Sequence, residues 1–356
     1  GNPWNAVISL ALECDTISEY TADHGVEIDG CRIKDGKVDP KAIPYLSRSN
    51  PKGKKILLKP ITFTPAGDGS YVLREAEQDE SGYWVGAPYV FYDSESEEFW
   101  MVYRRRNPTE RGYISIIANS SDGINFTDVK SITKTDLGLV SIERGCLIKD
   151  PVSGKYKYYI CGDDGTGWDI YKLADVDDPS SLDPTTATKV LTRGATGEWD
   201  ETVAKDPYVF YIGGLYFMLY AGGTEKTGIA YSINGNDWIK YANNPIINTG
   251  ATDSWDCAVV KGTTVVMIEG TWSIYYTGFA ECTACPPDQA QGLSVWLNPL
   301  VGTPIKITEE GPLFGTRSKY LEIVTVENKI YCYYEYLNPD DSVDLYLTIL
   351  DINEMI

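Results

Sequence analysis

Residues 84–350 repeat one pattern five times, and this repeat constrains the fold more than any other feature of the chain. Each unit opens with a polar or aromatic lead-in and a short apolar strand, then crosses a turn into an aromatic-rich strand. The third unit shows it in full: Trp199-Asp200-Glu201, Lys205-Asp206-Pro207-Tyr208-Val209-Phe210-Tyr211, Gly213-Gly214, Tyr216-Phe217-Met218-Leu219-Tyr220, then Tyr231-Ser232 and Asn234-Gly235 before Trp238. The first unit repeats it with Ala87-Pro88-Tyr89-Val90-Phe91-Tyr92, Phe99-Trp100-Met101-Val102-Tyr103, and Ser120-Ser121-Asp122-Gly123 before Phe126. Weaker copies open near Glu143, Trp255 and Lys319. The openings lie roughly 56–64 residues apart, the scale of a propeller blade with its loops.

Runs such as Tyr156-Lys157-Tyr158-Tyr159-Ile160 and Ile330-Tyr331-Cys332-Tyr333-Tyr334 are rich in aromatic and β-branched residues, and Asp-Gly, Gly-Gly and Asn-Gly turns bound many of them. Helical periodicity is nearly absent, and Pro179 to Pro184 reads as a capped turn at most. In the closing turns, Asp122 and Asn234 can accept backbone N–H groups while Gly123 and Gly235 supply a positive φ. The aromatic that follows, Phe126 or Trp238, is then placed to pack between blades. The expected fold is all-β: a five-bladed β-propeller over residues 81–356 with an N-terminal β-rich extension over residues 1–80.

The formal charge of −20 argues against nucleic acid, whose phosphates require a basic face, and against anionic membranes. No apolar run approaches the roughly 20 residues that a spanning helix needs. The chain begins at Gly1, compatible with a leader having been removed. Eight cysteines are too sparse for a disulfide scaffold; Cys282-x-x-Cys285 has no second pair at zinc-finger spacing, and His24 is the one histidine. These features leave disulfides, redox compartment and oligomeric state open.

The third unit also carries the pattern W-D, D-P-x-V and W-x-K-x-x-x-N-P, at Trp199-Asp200, Asp206-Pro207-Tyr208-Val209 and Trp238-Ile239-Lys240 through Asn244-Pro245. In this it resembles the five-bladed propeller glycoside hydrolases of families 43 and 32 and relatives such as family 130, over roughly residues 84–350. Separately, Thr21 to Val38, with Gly25-Val26-Glu27-Ile28-Asp29-Gly30 and Lys34-Asp35-Gly36, resembles a segment of phage-encoded virion and tail-associated proteins. That likeness implies an extracellular or virion-associated location. By itself the segment reads as short strands among turns.

Glycosidic cleavage commonly uses two carboxyl groups flanking the bond, one of them held protonated. Acids near the start of each unit converge on a propeller's channel, which nominates Glu143, Asp200, Asp206, Asp256 and Glu322. The resemblance implies that Asp206 orients the acid, tunes its pKa or contacts the sugar. It places Asp256 either near the proton donor or at a second copy of the Trp199-Asp200 opening. Glu143 is the other candidate donor, with Arg144 as counter-charge and as a contact for sugar hydroxyls or a carboxylate. Trp84, Trp199 and Trp255 offer faces for sugar stacking. Each residue also has a plainer reading: a turn cap at Asp206, braces at Asp200 and Asp256, an ion pair at Glu143-Arg144, and packing between blades for the tryptophans.

The first unit departs from the family pattern, because Ala87 precedes Pro88 where these enzymes place an aspartate. The expected function is a glycoside hydrolase-like protein acting on a polysaccharide in the central pocket. A non-catalytic carbohydrate- or receptor-binding propeller, or a virion component, is the alternative. Related propellers hold calcium in the channel, often with histidine; carboxylates alone can bind it, but no cofactor is assigned.

Overall fold

The computed structural model describes residues 57, 59–223, 225–268, 271–280, 289–297 and 302–354, together with the backbone of four short N-terminal strands. Those strands, β1 (Ile17–Tyr20), β2 (Gly25–Ile28), β3 (Cys31–Lys34) and β4 (Lys37–Val38), form an antiparallel meander, as the alternation of apolar and turn residues suggests. They belong to a unit spanning Gly1–Arg48, and Ser49–Ile356 forms a second unit. His24 and Cys282-x-x-Cys285 lie outside the described residues; among those described, Cys146, Cys161, Cys257 and Cys332 are free thiols. No described helix is long and apolar enough to cross a membrane.

The aromatic and β-branched runs of the second unit form five antiparallel blades. Blade one contains β6 (Trp84–Asp93), β7 (Glu98–Arg106), β8 (Ile114–Ser120) and β9 (Thr127–Thr133). Blade two contains β10 (Ser141–Lys149), β11 (Tyr156–Asp163), β12 (Trp168–Lys172) and β13 (Thr188–Leu191). Blade three contains β14 (Ala204–Ile212), β15 (Leu215–Gly222), β16 (Lys226–Ser232) and β17 (Ile239–Lys240). Blade four contains β18 (Val259–Ile268), β19 (Thr271–Phe279), β20 (Ala290–Trp296) and β21 (Ile305–Lys306), with β22 (Phe314–Thr316) also pairing β20. Blade five contains β23 (Ser318–Val326), β24 (Lys329–Leu337) and β25 (Val343–Asp351). The first strands pack in a closed cycle: β6 on β10, β10 on β14, β14 on β18, β18 on β23, and β23 on β6. These inner strands are buried along most of their length; their later parts, Tyr89–Tyr92, Cys146–Ile148 and Tyr208–Ile212, are apolar or aromatic, while Glu143, Arg144, Lys205 and Asp206 stand near the starts.

The fourth strand of blade five comes from the other end of the sequence. Strand β5 (Ser70–Arg74) pairs with β25, placing Ser70 opposite Thr348. The propeller therefore includes residues assigned above to an extension ending at residue 80. Its edge strand carries the mixed pattern Ser-Tyr-Val-Leu-Arg and stands outside the repeat register, so the periodicity does not reveal it.

The closing turns lock neighbouring blades as their residues suggest. Asp122 accepts the N–H groups of Ile124 and Asn125, each at 2.8 Å, and Phe126 packs edge-on to Tyr333 of blade five at 6.1 Å between centroids. The Tyr333 hydroxyl donates to the Gly123 carbonyl at 2.9 Å. In the third blade Trp238 packs edge-on to Tyr159 of blade two, whose hydroxyl donates to the Gly235 carbonyl at 2.7 Å.

Candidate functional site

Every inner strand breaks register near its start: between Gly86 and Tyr89, Ile142 and Gly145, Lys205 and Tyr208, Gly262 and Thr264, and Lys319 and Glu322. A bulge adds a residue and re-aims the side chains around it. Three of the bulged residues hold left-handed backbone, Ala87 (φ 50°), Asp206 (φ 56°) and Tyr320 (φ 52°), a conformation costing about 1–3 kcal/mol at a non-glycine residue. The bulges gather polar side chains at the end of the channel where the inner strands begin.

Glu143 sits in the bulge of blade two and is 4 % exposed. It pairs with Arg104 Nε at 2.8 Å, Arg111 Nε at 3.4 Å and Arg106 Nη1 at 3.7 Å. Burial pushes its carboxyl up, but Arg104, Lys205 and Arg106 outweigh it and hold the group below its ordinary range. Arg104 continues to Glu335 Oε1 at 3.0 Å, and Glu335 also receives the Ala87 N–H at 2.6 Å and the Lys319 ammonium at 3.0 Å. Lys319 lies 3.6 Å over the Trp84 ring and Arg106 lies 4.1 Å from its centroid. Burial pulls the Lys319 ammonium down to about 8, with Glu335 opposing.

Asp206, in the bulge of blade three, pairs with Lys261 at 3.1 Å and accepts the Tyr320 hydroxyl at 3.2 Å. Burial raises its pKa, yet Lys261 and Lys205 dominate and hold it well below the usual carboxylate range. Glu225 bridges Lys205 and Lys261, the latter at 3.0 Å, and Lys205 lies 5.6 Å over the Trp168 ring. The two halves of this cluster meet where Lys205 and Asp206 act electrostatically on Glu143.

Arg144 is not the counter-charge of Glu143. The bulge sends these consecutive side chains apart, and Arg144 ties the channel together from within. It donates to the carbonyls of Pro88 at 2.9 Å and Thr263 at 3.0 Å and pairs with Glu322 at 3.1 Å. Glu322 also accepts the Thr264 hydroxyl at 2.9 Å. Burial pushes its carboxyl up to about 8, against Arg144 and Thr264.

Asp200 and Asp256 occupy matching braces away from this cluster. Asp200 accepts from Tyr220 at 3.1 Å and Lys240 at 2.6 Å, and Asp256 accepts from Tyr276 at 2.9 Å and Lys306 at 2.8 Å. Their tryptophans match too: Trp199 packs on Tyr220 at 5.6 Å, and Trp255 stacks on Tyr276 at 5.8 Å. Gly222 and Gly278 leave room for those indoles. The geometry of Asp256 is thus that of the blade opening.

Of the residues nominated from sequence, Glu143, Asp206 and Trp84 come together; Arg144 and Glu322 lie within the channel, and Asp200, Asp256, Trp199 and Trp255 form braces. Sequence reading passed over Arg104, Arg106, Glu335 and Lys261. The signal available was Arg104-Arg105-Arg106 ending an otherwise apolar strand. Among the described residues no group of three or more His, Cys, Asp or Glu is placed to hold a metal ion. Each of these carboxylates is met by an arginine or lysine, a donor set that does not fit calcium.

No family model and no curated protein sequence matches the chain. Solved structures do. A glycoside hydrolase superposes with a TM-score of 0.59 at 14 % identity, over 78 % of this chain and 91 % of that one. A thermostable family-43 glycoside hydrolase gives 0.55 at 15 % identity, over 74 % and 88 %. A third, described as belonging to a GH130 family of mannoside phosphorylases that contains glycoside hydrolases targeting beta-1,2 mannosidic linkages in Candida mannan, gives 0.52 at 17 % identity, over 85 % and 94 %. The chain has the propeller fold of glycoside hydrolases. These matches lend no support to the phage-like likeness of residues 21–38, whose side chains lie outside the described residues.

Proposed function

We propose that this protein is glycoside hydrolase-like and acts on a carbohydrate held where the inner strands begin. The observation that carries this reading is the convergence of Glu143 and Asp206, buried and held ionised on adjacent inner strands. Trp84 lies in the same cluster, its ring met by Lys319 and Arg106. Ionised carboxylates can stabilise positive charge building on a sugar ring or polarise an attacking water. The leaving oxygen needs a proton from a group still protonated near neutrality. Neither carboxylate is in that state; two other groups are, Lys319, paired to Glu335 with its ammonium near 8, and Glu322, whose carboxyl is held near 8 against Arg144 in the channel.

The ion pairing of the carboxylates and the presence of Ala87 in a bulge equivalent to that of Asp206 favour a second reading, carbohydrate binding without turnover. A panel of furanoside and pyranoside oligosaccharides separates the two. Release of reducing ends by the wild type, reduced at least about 100-fold in Glu143→Gln and Asp206→Asn, supports hydrolysis. Binding without release supports the second reading. Activity unchanged in both variants removes the site assignment.

A further inference from the structure

The charge at the start of the channel runs against that of the whole chain. The protein carries a formal charge of −20. Yet Arg104, Arg106, Arg111, Lys205, Lys261 and Lys319 surround four carboxylates there, leaving two positive charges in excess. In this basic cluster three buried donors have no acceptor: Nη1 of Arg104, Nε of Arg106 and Nε1 of Trp84. Arg104 is 1 % exposed, and its other nitrogens are committed to Glu143 and Glu335. A buried guanidinium N–H without a partner is costly to leave unsatisfied, so this place is built to receive acceptor atoms. A sugar hydroxyl can accept one such bond, but it does not balance the excess charge. An anionic group does both.

We propose that the site recognises a negatively charged substituent on its carbohydrate, a uronic acid carboxylate or a sulfate ester. This rests on the carbohydrate reading above. Arg106 and Arg111, partly open to solvent and sharing Glu143 Oε1, are the residues that meet the charged group, and Arg104 fixes them through that glutamate. The fixed N–H fork of arginine suits planar or tetrahedral oxyanions better than a point charge does. Within an acidic protein, such a local positive field concentrates the anionic ligand at one place.

Isothermal titration with matched pairs tests the proposal: oligogalacturonides against their carboxyl-reduced galactan counterparts, and a sulfated galactan tetrasaccharide against its desulfated form, with inorganic phosphate and sulfate as free-anion controls. At least one acidic member should bind about tenfold or more tightly than its neutral partner, and Arg106→Ala and Arg111→Ala should each bring the pair to within about threefold, with melting temperatures confirming that both variants fold. The carboxylate and sulfate arms identify which anion is recognised. Equal binding of acidic and neutral partners overturns the anion proposal and leaves the carbohydrate reading standing. Binding of inorganic anions alone, or of nothing in the panel, overturns the proposal. A preference that survives in both arginine variants overturns the assignment of these residues.

Discussion

Ala87 and Glu335 show how a bulge with no carboxylate of its own receives one from the neighbouring blade. In the first blade an alanine stands in the bulge position that Asp206 fills in the third, and a carboxylate reaches it from blade five instead. Gly86 makes this possible: a Cβ there would lie 2.1 Å from Glu335 Cγ. Gly86→Ala should therefore cost about 1–3 kcal/mol through overpacking, whereas Gly311→Ala, where nothing lies within 4 Å, should be near neutral. Chemical denaturation of the two variants compares them directly. Glu322 gives a second expectation. Its folded pKa of about 8 exceeds its ordinary 4.5, so the native state holds the extra proton between those values. The group's contribution is fully present below pH 4.5 and is lost as pH rises through 8. The stability gap between wild type and Glu322→Gln should move against the wild type over that window by at most about 1.4 kcal/mol per pH unit. Urea melts at pH 5 and pH 8 check the sign, and an unchanged gap would show that the carboxyl is already ionised. Glu143, Asp206 and Trp84 were legible because they sit at repeat openings. Glu335 and Arg104 were not, because second-strand positions are legible as packing, and only the assembled ring shows which of them face the channel end.

Among the elements, the closing turns were the most readable, since a side-chain acceptor followed by glycine has one economical geometry. Asp122 accepts four hydrogen bonds, from two backbone N–H groups, the Asn125 amide and the Ser120 hydroxyl. Asp122→Ala should lower stability by about 1–2 kcal/mol while leaving carbohydrate binding intact, because the turn holds Phe126 against blade five and lies apart from the bulges. Thermal denaturation alongside a binding isotherm tests both halves. The bulges were illegible for the opposite reason. An extra residue in an apolar strand leaves no mark on hydrophobicity, so the residues that set the site's geometry looked like ordinary strand positions. Positive φ at Ala87 and Tyr320 could not be anticipated from residues with no preference for it.

For the molecule as a whole, the repeat revealed the ring but not its closure. Strand β5 completes blade five, and the segment before it is also embedded: Ile61 is fully buried with its N–H on the Tyr275 hydroxyl at 2.7 Å, and Phe63 packs against Phe314 at 4.8 Å. A chain starting at Ser49 should retain the cooperative melt of the Ser49–Ile356 unit. One starting at Glu75 should lose several kcal/mol, from about 1.5–3 kcal/mol for each large apolar side chain uncovered. Calorimetry on the two chains distinguishes them, and equal melts would mean that closure contributes little. The same closure orders events in time. During synthesis Ser70–Arg74 emerges before every blade, and its partner Val343–Asp351 emerges last. Contacts so distant in sequence form slowly, so the first strand waits through the assembly of the others with its pairing edges open. Arg74, a charge at the end of a short strand, is the kind of residue that keeps a waiting edge from finding another chain.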